Sequence, residues 1–120
     1  MILVDDHILA ARYGEASDQG SSAIPLATTC CWWWRLVVAA GRLGQPTGAF
    51  DDLADSIVVP ERSALLPTMA RLALAYRLSV PAAEALAAAE VLGADIVVGQ
   101  DTPRLREAAR VRGITYLVEA

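Results

Sequence analysis

The residues best suited to chemistry are carboxylates placed just after apolar runs. Met1-Ile2-Leu3-Val4 leads directly into Asp5 and Asp6, followed by His7, the single histidine of the chain. Near the other end, in ADIVVGQDTP, Ile96-Val97-Val98 is followed by Asp101. Ligands of open parallel sheets bind outside the carboxyl ends of the strands. If both runs are central strands, Asp5 and Asp101 approach each other there. Like charges held close favour their neutral forms unless a cation sits between them. A set made only of oxygens suits Mg²⁺ or Mn²⁺ rather than a soft metal. The same residues also have a plain structural reading. An Asp after a strand is a good helix cap, and Asp5 or Asp6 fits that role ahead of a short helix over 8–13.

Other side chains carry paired readings of the same kind. Glu84 falls in the first turn expected for a helix, where the macrodipole favours an acid and where a ligand could also sit. Trp32, Trp33 and Trp34 are consecutive and cannot share one helical face, so at least one turns away from the core. An exposed tryptophan stacks on a base or anchors an interface, and an interface is the preferred reading here. Arg35 beside them meets a phosphate or an acid on a neighbouring helix. Arg104, near the start of the helix after Asp101, lies near the proposed site, whereas Arg106, Arg110 and Arg112 read as a solvated face. His7 reads as a surface or packing residue. Cys30 and Cys31 are adjacent and bridge only through a strained ring, so they read as free core thiols in a reducing cytoplasm.

The elements that must position these residues are legible from punctuation and period. Residues 1–4 form a buried strand, and the helix over 8–13 stops at Gly14. SDQGSS at 17–22 is a loop, and residues 24–27 are briefly extended. Thr28 or Thr29 caps CCWWWRLVVAAGRLG, which ends at Gly41 or Gly44. Residues 45–48 turn, 49–54 form a short helix or turn, and 56–59 form a strand closed by Pro60. Leu65, Met69, Leu72 and Tyr76 recur at helical spacing over 61–76, with Pro67 in the first turns. Ser79 and Pro81 start the next helix, which Gly93 closes. A strand over 95–98 follows. Thr102-Pro103 starts a helix that Gly113 stops, and 114–118 is the last strand. Short apolar strands joined through helices give one α/β domain over 1–120, a parallel sheet covered on both faces.

Composition narrows the functions. The chain has 120 residues, 55 % of them hydrophobic, enough for one core. Its net charge of −4 argues against holding nucleic acid by bulk electrostatics. No run reaches the length of a membrane span or signal segment. One His and two adjacent Cys cannot supply a tetrahedral zinc site.

MILVDDHILAA resembles the opening of PIN-domain proteins, and LSVPAAEALAAAEVLGADIVVGQDTPRLREAARVRGITYLV resembles their closing half. The VapC-type toxins of toxin–antitoxin pairs are the most similar group. The likeness implies a three-layer α/β/α sandwich with a short parallel sheet, and Mg²⁺- or Mn²⁺-dependent cleavage of RNA. It further implies an antitoxin partner and a homodimer. Asp5 matches the first family acid. Asp101 matches the last, with a strand-to-acid spacing one residue longer. The family Glu that opens the helix after the first long loop falls near Trp32, where there is no acid. The third family acid, roughly eleven residues before Gly93, falls on Ala82, with Glu84 two residues later. The expected set is therefore Asp5, Glu84 and Asp101, with Asp6 as helper. Two readings follow: a metal-dependent ribonuclease, or a degenerate PIN-like module that binds RNA or a protein partner.

Overall fold

The computed structural model describes residues 1–11, 25–45 and 49–119. The expected stop at Gly14, the loop over 17–22 and most of the turn over 45–48 lie outside them. Strand β1 (Ile2–Val4) leads into helix α1, described over 6–11. Then come β2 (Leu26–Ala27), α2 (Cys30–Arg42), α3 (Ala49–Ala54), β3 (Ile57–Val58), α4 (Arg62–Tyr76), α5 (Val80–Leu92), β4 (Ile96–Gly99), α6 (Pro103–Val111) and β5 (Thr115–Val118).

The five strands form one sheet in the order β3-β2-β1-β4-β5, and every neighbouring pair is parallel. The chain builds outward from β1 on one side, then crosses to β4 on the other. The switch point of the topology therefore lies between β1 and β4, whose carboxyl ends carry Asp5 and Asp101. Alternation along β1 sends Leu3 into one core, with Leu65, Leu86, Val97 and Leu105, and Val4 into another, with Ile8, Leu36, Phe50 and Leu53. The sheet is thus covered on both faces, as expected of an α/β/α sandwich.

Local signals explain most boundaries. The Thr29 hydroxyl caps α2 by accepting from the Trp32 N–H at 3.1 Å, while Thr28 donates to the Val4 carbonyl at 2.8 Å. Helix α2 runs to Arg42, between the two expected stops. Ser79 caps α5, and Gly93 ends it at φ 67°, a conformation that suits glycine. Helix α5 is buried almost all round, from Ala82 to Ala89, because alanines let it approach the sheet and α4 closely. Among the described residues no single helix is long and apolar enough to cross a membrane.

Three expectations need correction. Helix α1 begins at Asp6 rather than Ile8, because Asp5 itself is the cap. Pro67 is the sixth residue of α4, beyond the free donors of the first turn, so the Ser63 carbonyl loses its helical partner. Thr102 precedes α6 without capping it; its hydroxyl turns back to the Gln100 carbonyl.

Candidate functional site

Asp5 is 4 % exposed, directly after β1. One carboxylate oxygen accepts the Ile8 N–H at 2.9 Å, which caps α1. The other accepts the Gln100 N–H at 2.8 Å, from the segment just beyond β4. Asp5 therefore ties the carboxyl ends of the two central strands together. Gly99 makes room for this: a Cβ there would lie 2.7 Å from the Asp5 carboxylate and 3.1 Å from the Tyr116 hydroxyl. Tyr116, on β5, donates to the Gln100 carbonyl at 2.6 Å. Burial pushes its phenol above the ordinary tyrosine value, and the Asp5 and Asp101 charges push the same way.

Glu84 is wholly buried, at 0 % exposure. It is the fifth residue of α5, just past the first turn where it was expected, so it does not serve that helix's own N-terminus. Its carboxylate instead accepts the Cys31 N–H at 3.0 Å, in the first turn of α2, a helix with no acid there. The negative charge that the α2 dipole favours thus comes from across the core. Arg62 closes on the same carboxylate with two bonds of 3.0 Å, Nε to Oε2 and Nη2 to Oε1. This bidentate contact raises the Arg62 pKa against the opposing effect of burial. A cation on the first residue of a helix is disfavoured by the dipole, and Glu84 is what makes Arg62 favourable there.

The other predicted residues lie on the surface around these two. Asp6 sits 3.4 Å from Arg35, so Arg35 meets an acid on a neighbouring helix, the second of its two readings. His7 is half-exposed, 3.9 Å from Asp6. Asp101 is about half exposed and paired with Arg106. Arg104 donates to the Arg77 carbonyl at 3.1 Å. Arg110 pairs with Glu107 and Arg112 with Glu90. Of the tryptophans, Trp32 is a core residue, Trp33 packs edge-on to Phe50 at 6.2 Å, and Trp34 is 65 % exposed. Trp32 therefore has no surface for an interface. Cys30 and Cys31 are free and half-buried rather than core thiols.

The acids do not converge. Among the described residues no three His, Cys, Asp or Glu side chains come together as a metal site. Glu84 faces Arg62, Asp6 faces Arg35, Asp101 faces Arg106, and both oxygens of Asp5 take backbone donors. The donor set as arranged does not fit a divalent cation. Arg62, Gly99 and Tyr116 were not singled out from the sequence. Arg62 had a signal, a cation where a helix starts; the other two are set by contacts between strands.

The fold is similar to a chain of a toxin–antitoxin complex from Klebsiella pneumoniae, with a TM-score of 0.69 and 19 % identity over 96 % of each chain. It is also similar to the PAE2754 protein of Pyrobaculum aerophilum, with a TM-score of 0.60 and 22 % identity over 97 % of this chain and 90 % of that one. No family model and no curated protein sequence matches. At these identities the likeness is one of fold.

Proposed function

We propose that the protein is a PIN-like module of the toxin–antitoxin kind that acts by holding a protein partner, with its acids in structural rather than catalytic use. The observation that carries this reading is the Arg62–Glu84 pair. A guanidinium already supplies the positive charge that a buried carboxylate requires, through two directed bonds. The likeness to a chain of a toxin–antitoxin complex supports a protein, such as an antitoxin, as the partner. The net charge of −4 supports a protein over RNA. Trp34 is the tryptophan with surface left for such a contact, or for a homodimer.

The second reading is a Mg²⁺- or Mn²⁺-dependent ribonuclease, with Asp5, Glu84 and Asp101 as ligands, Asp6 as helper, and Arg35 and Arg104 on the RNA. In its favour, Asp5 and Asp101 follow adjacent strands, and no arginine pairs with Asp5 among the contacts described. Calorimetric titration of Mn²⁺ into the native protein and its Asp5→Asn and Asp101→Asn variants separates the two. The partner-holding reading expects no binding at millimolar metal. Binding that vanishes in both variants would overturn it in favour of the nuclease.

A further inference from the structure

The two edges of the sheet are finished differently. At one edge β3 is two residues long, and Pro60 follows shortly, both common ways to blunt an edge. At the other edge β5 runs for four residues, Thr-Tyr-Leu-Val, with neither proline nor charge. Leu117 and Val118 are 49 % and 48 % exposed there. The N–H groups of Thr115 and Glu119 donate towards β4, to the carbonyls of Asp95 and Gly99. Backbone direction alternates along a strand, so the N–H and C=O groups of Tyr116 and Val118 face outward. Among the described residues no strand pairs with that edge. An open apolar edge of this kind is a template for another strand.

The strand is complementary to itself. Turned about a two-fold axis beside Leu117, it meets a second β5 antiparallel, with Tyr116 opposite the second copy's Val118. These are the residues whose backbone groups face outward, so each such pair exchanges both its N–H···O bonds. Leu117 then lies opposite Leu117, in the close, non-hydrogen-bonded type of pair with about 4.5 Å between Cα atoms. Two half-exposed leucines thereby cover each other. Thr115 lies opposite the second copy's Glu119, a hydroxyl beside a carboxylate. Among the described residues no ion pair or hydrogen bond engages the Glu119 carboxylate. The two Glu119 residues stand roughly 14 Å apart along the strands, so like charges do not face each other. Helix α6, beside the strand, does little to repel a copy of itself, because Arg106, Arg110 and Arg112 pair with Asp101, Glu107 and Glu90.

We propose that the protein forms a two-fold dimer through β5, which joins the two sheets into one. An unrelated strand could use the same backbone groups, but the side chains that match them, Leu117 to Leu117 and Thr115 to Glu119, are present in β5 itself. The outer edges of the joined sheet are both the short β3 edge, so strand pairing closes at two copies. This goes beyond the partner-holding reading and leaves Trp34, on α2, to the partner.

Sedimentation equilibrium of the native protein should give a dimer that dissociates on dilution through the micromolar range. Val118→Pro removes the outward N–H and leaves the ladder to β4 intact, and should weaken the dimer about tenfold or more. Leu117→Cys, oxidised in air with copper phenanthroline, should yield a dimer linked through position 117, as peptide mass spectrometry would show. Glu119→Cys should not link through position 119, because its two copies lie too far apart. A native protein that stays monomeric at millimolar concentration overturns the proposal. So does a dimer that withstands Val118→Pro, or one that links through 119 rather than 117. If Val118→Pro unfolds, as circular dichroism would show, the two cysteine variants decide. The Mn²⁺ titration fails or succeeds independently of these outcomes, so the two proposals fall separately.

Discussion

Asp5 and Glu84 are both buried carboxylates near the places where the sequence anticipates chemistry, and the protein holds them by different means. Asp5 is met by two backbone N–H groups, from its own helix and from the neighbouring strand's exit. Glu84 is met by a guanidinium and by one N–H from the start of α2. The first arrangement fixes local geometry: a cap, a turn and a strand register. The second joins three helices, α2, α4 and α5, through one ion pair. Position after a strand or within a helix does not reveal which of these uses an acid has. The partner reveals it, and the partner is distant in sequence for Glu84 and Arg62.

The sharpest way to break this comparison is to remove the partner alone. Arg62→Met leaves Glu84 inside the core without its counter-charge, and losing one member of a buried pair costs about 3–5 kcal/mol. Arg62 is 41 % exposed at its side chain, which places the expected cost at the lower end of that span. Urea unfolding measures it. The double variant Arg62→Met with Glu84→Leu should recover much of the loss, because no buried charge then lacks a partner. A loss below roughly 0.5 kcal/mol for the single variant, the range of ordinary surface substitutions, would mean that the ion pair holds nothing together.

Asp5→Ala should cost less, about 1–3 kcal/mol, the range for leaving buried donors without an acceptor. Both donors are backbone groups, and water can reach the exposed Gln100, which moderates the loss. Hydrogen exchange locates the effect. The Ile8 and Gln100 amides should lose protection, while the Cys31 amide, held by Glu84, should not. Equal loss at all three would show that Asp5 and Glu84 belong to one coupled unit rather than two.

How much of this was legible beforehand follows from the same contrast. Strands and helices were readable where one residue type carries the information: Pro25 to Ala27, Thr29, Ser79, Gly93, Pro103 and Gly113 all punctuate as expected. Asp5 was also readable, since a cap acts within three residues. Glu84 falls one residue past the first turn because α5 starts at Val80, directly after its Ser79 cap, and its use has no local signal because its partners, Cys31 and Arg62, sit 53 and 22 residues away. The tryptophan run showed that one ring must leave the core, and helical phase chose Trp34. Asp101 follows β4 as expected, but its pairing with Arg106 depends on side-chain directions that spacing does not give.

Tyr116 offers the finest probe of the difference, because it reports the Asp5 charge directly. Its phenol is half-buried and pushed above the ordinary value of 10.0, first by burial, then by Asp5 and Asp101, while Thr102 and Arg106 act the other way. A group whose folded pKa exceeds its unfolded one contributes stability that is intact below the unfolded value and lost as pH rises through the folded one. Stability should therefore fall as pH climbs from about 10 upwards, and Tyr116→Phe should remove that part of the fall. Absorbance titration of the tyrosinate gives the phenol directly. In Asp5→Asn the Tyr116 titration should move down towards the ordinary value. In Glu84→Gln it should stay where it is, because Glu84 is not among the groups that shift it. A Tyr116 that ignores Asp5→Asn would mean that the carboxylate's charge is screened from its neighbour, leaving burial and Asp101 to raise the phenol.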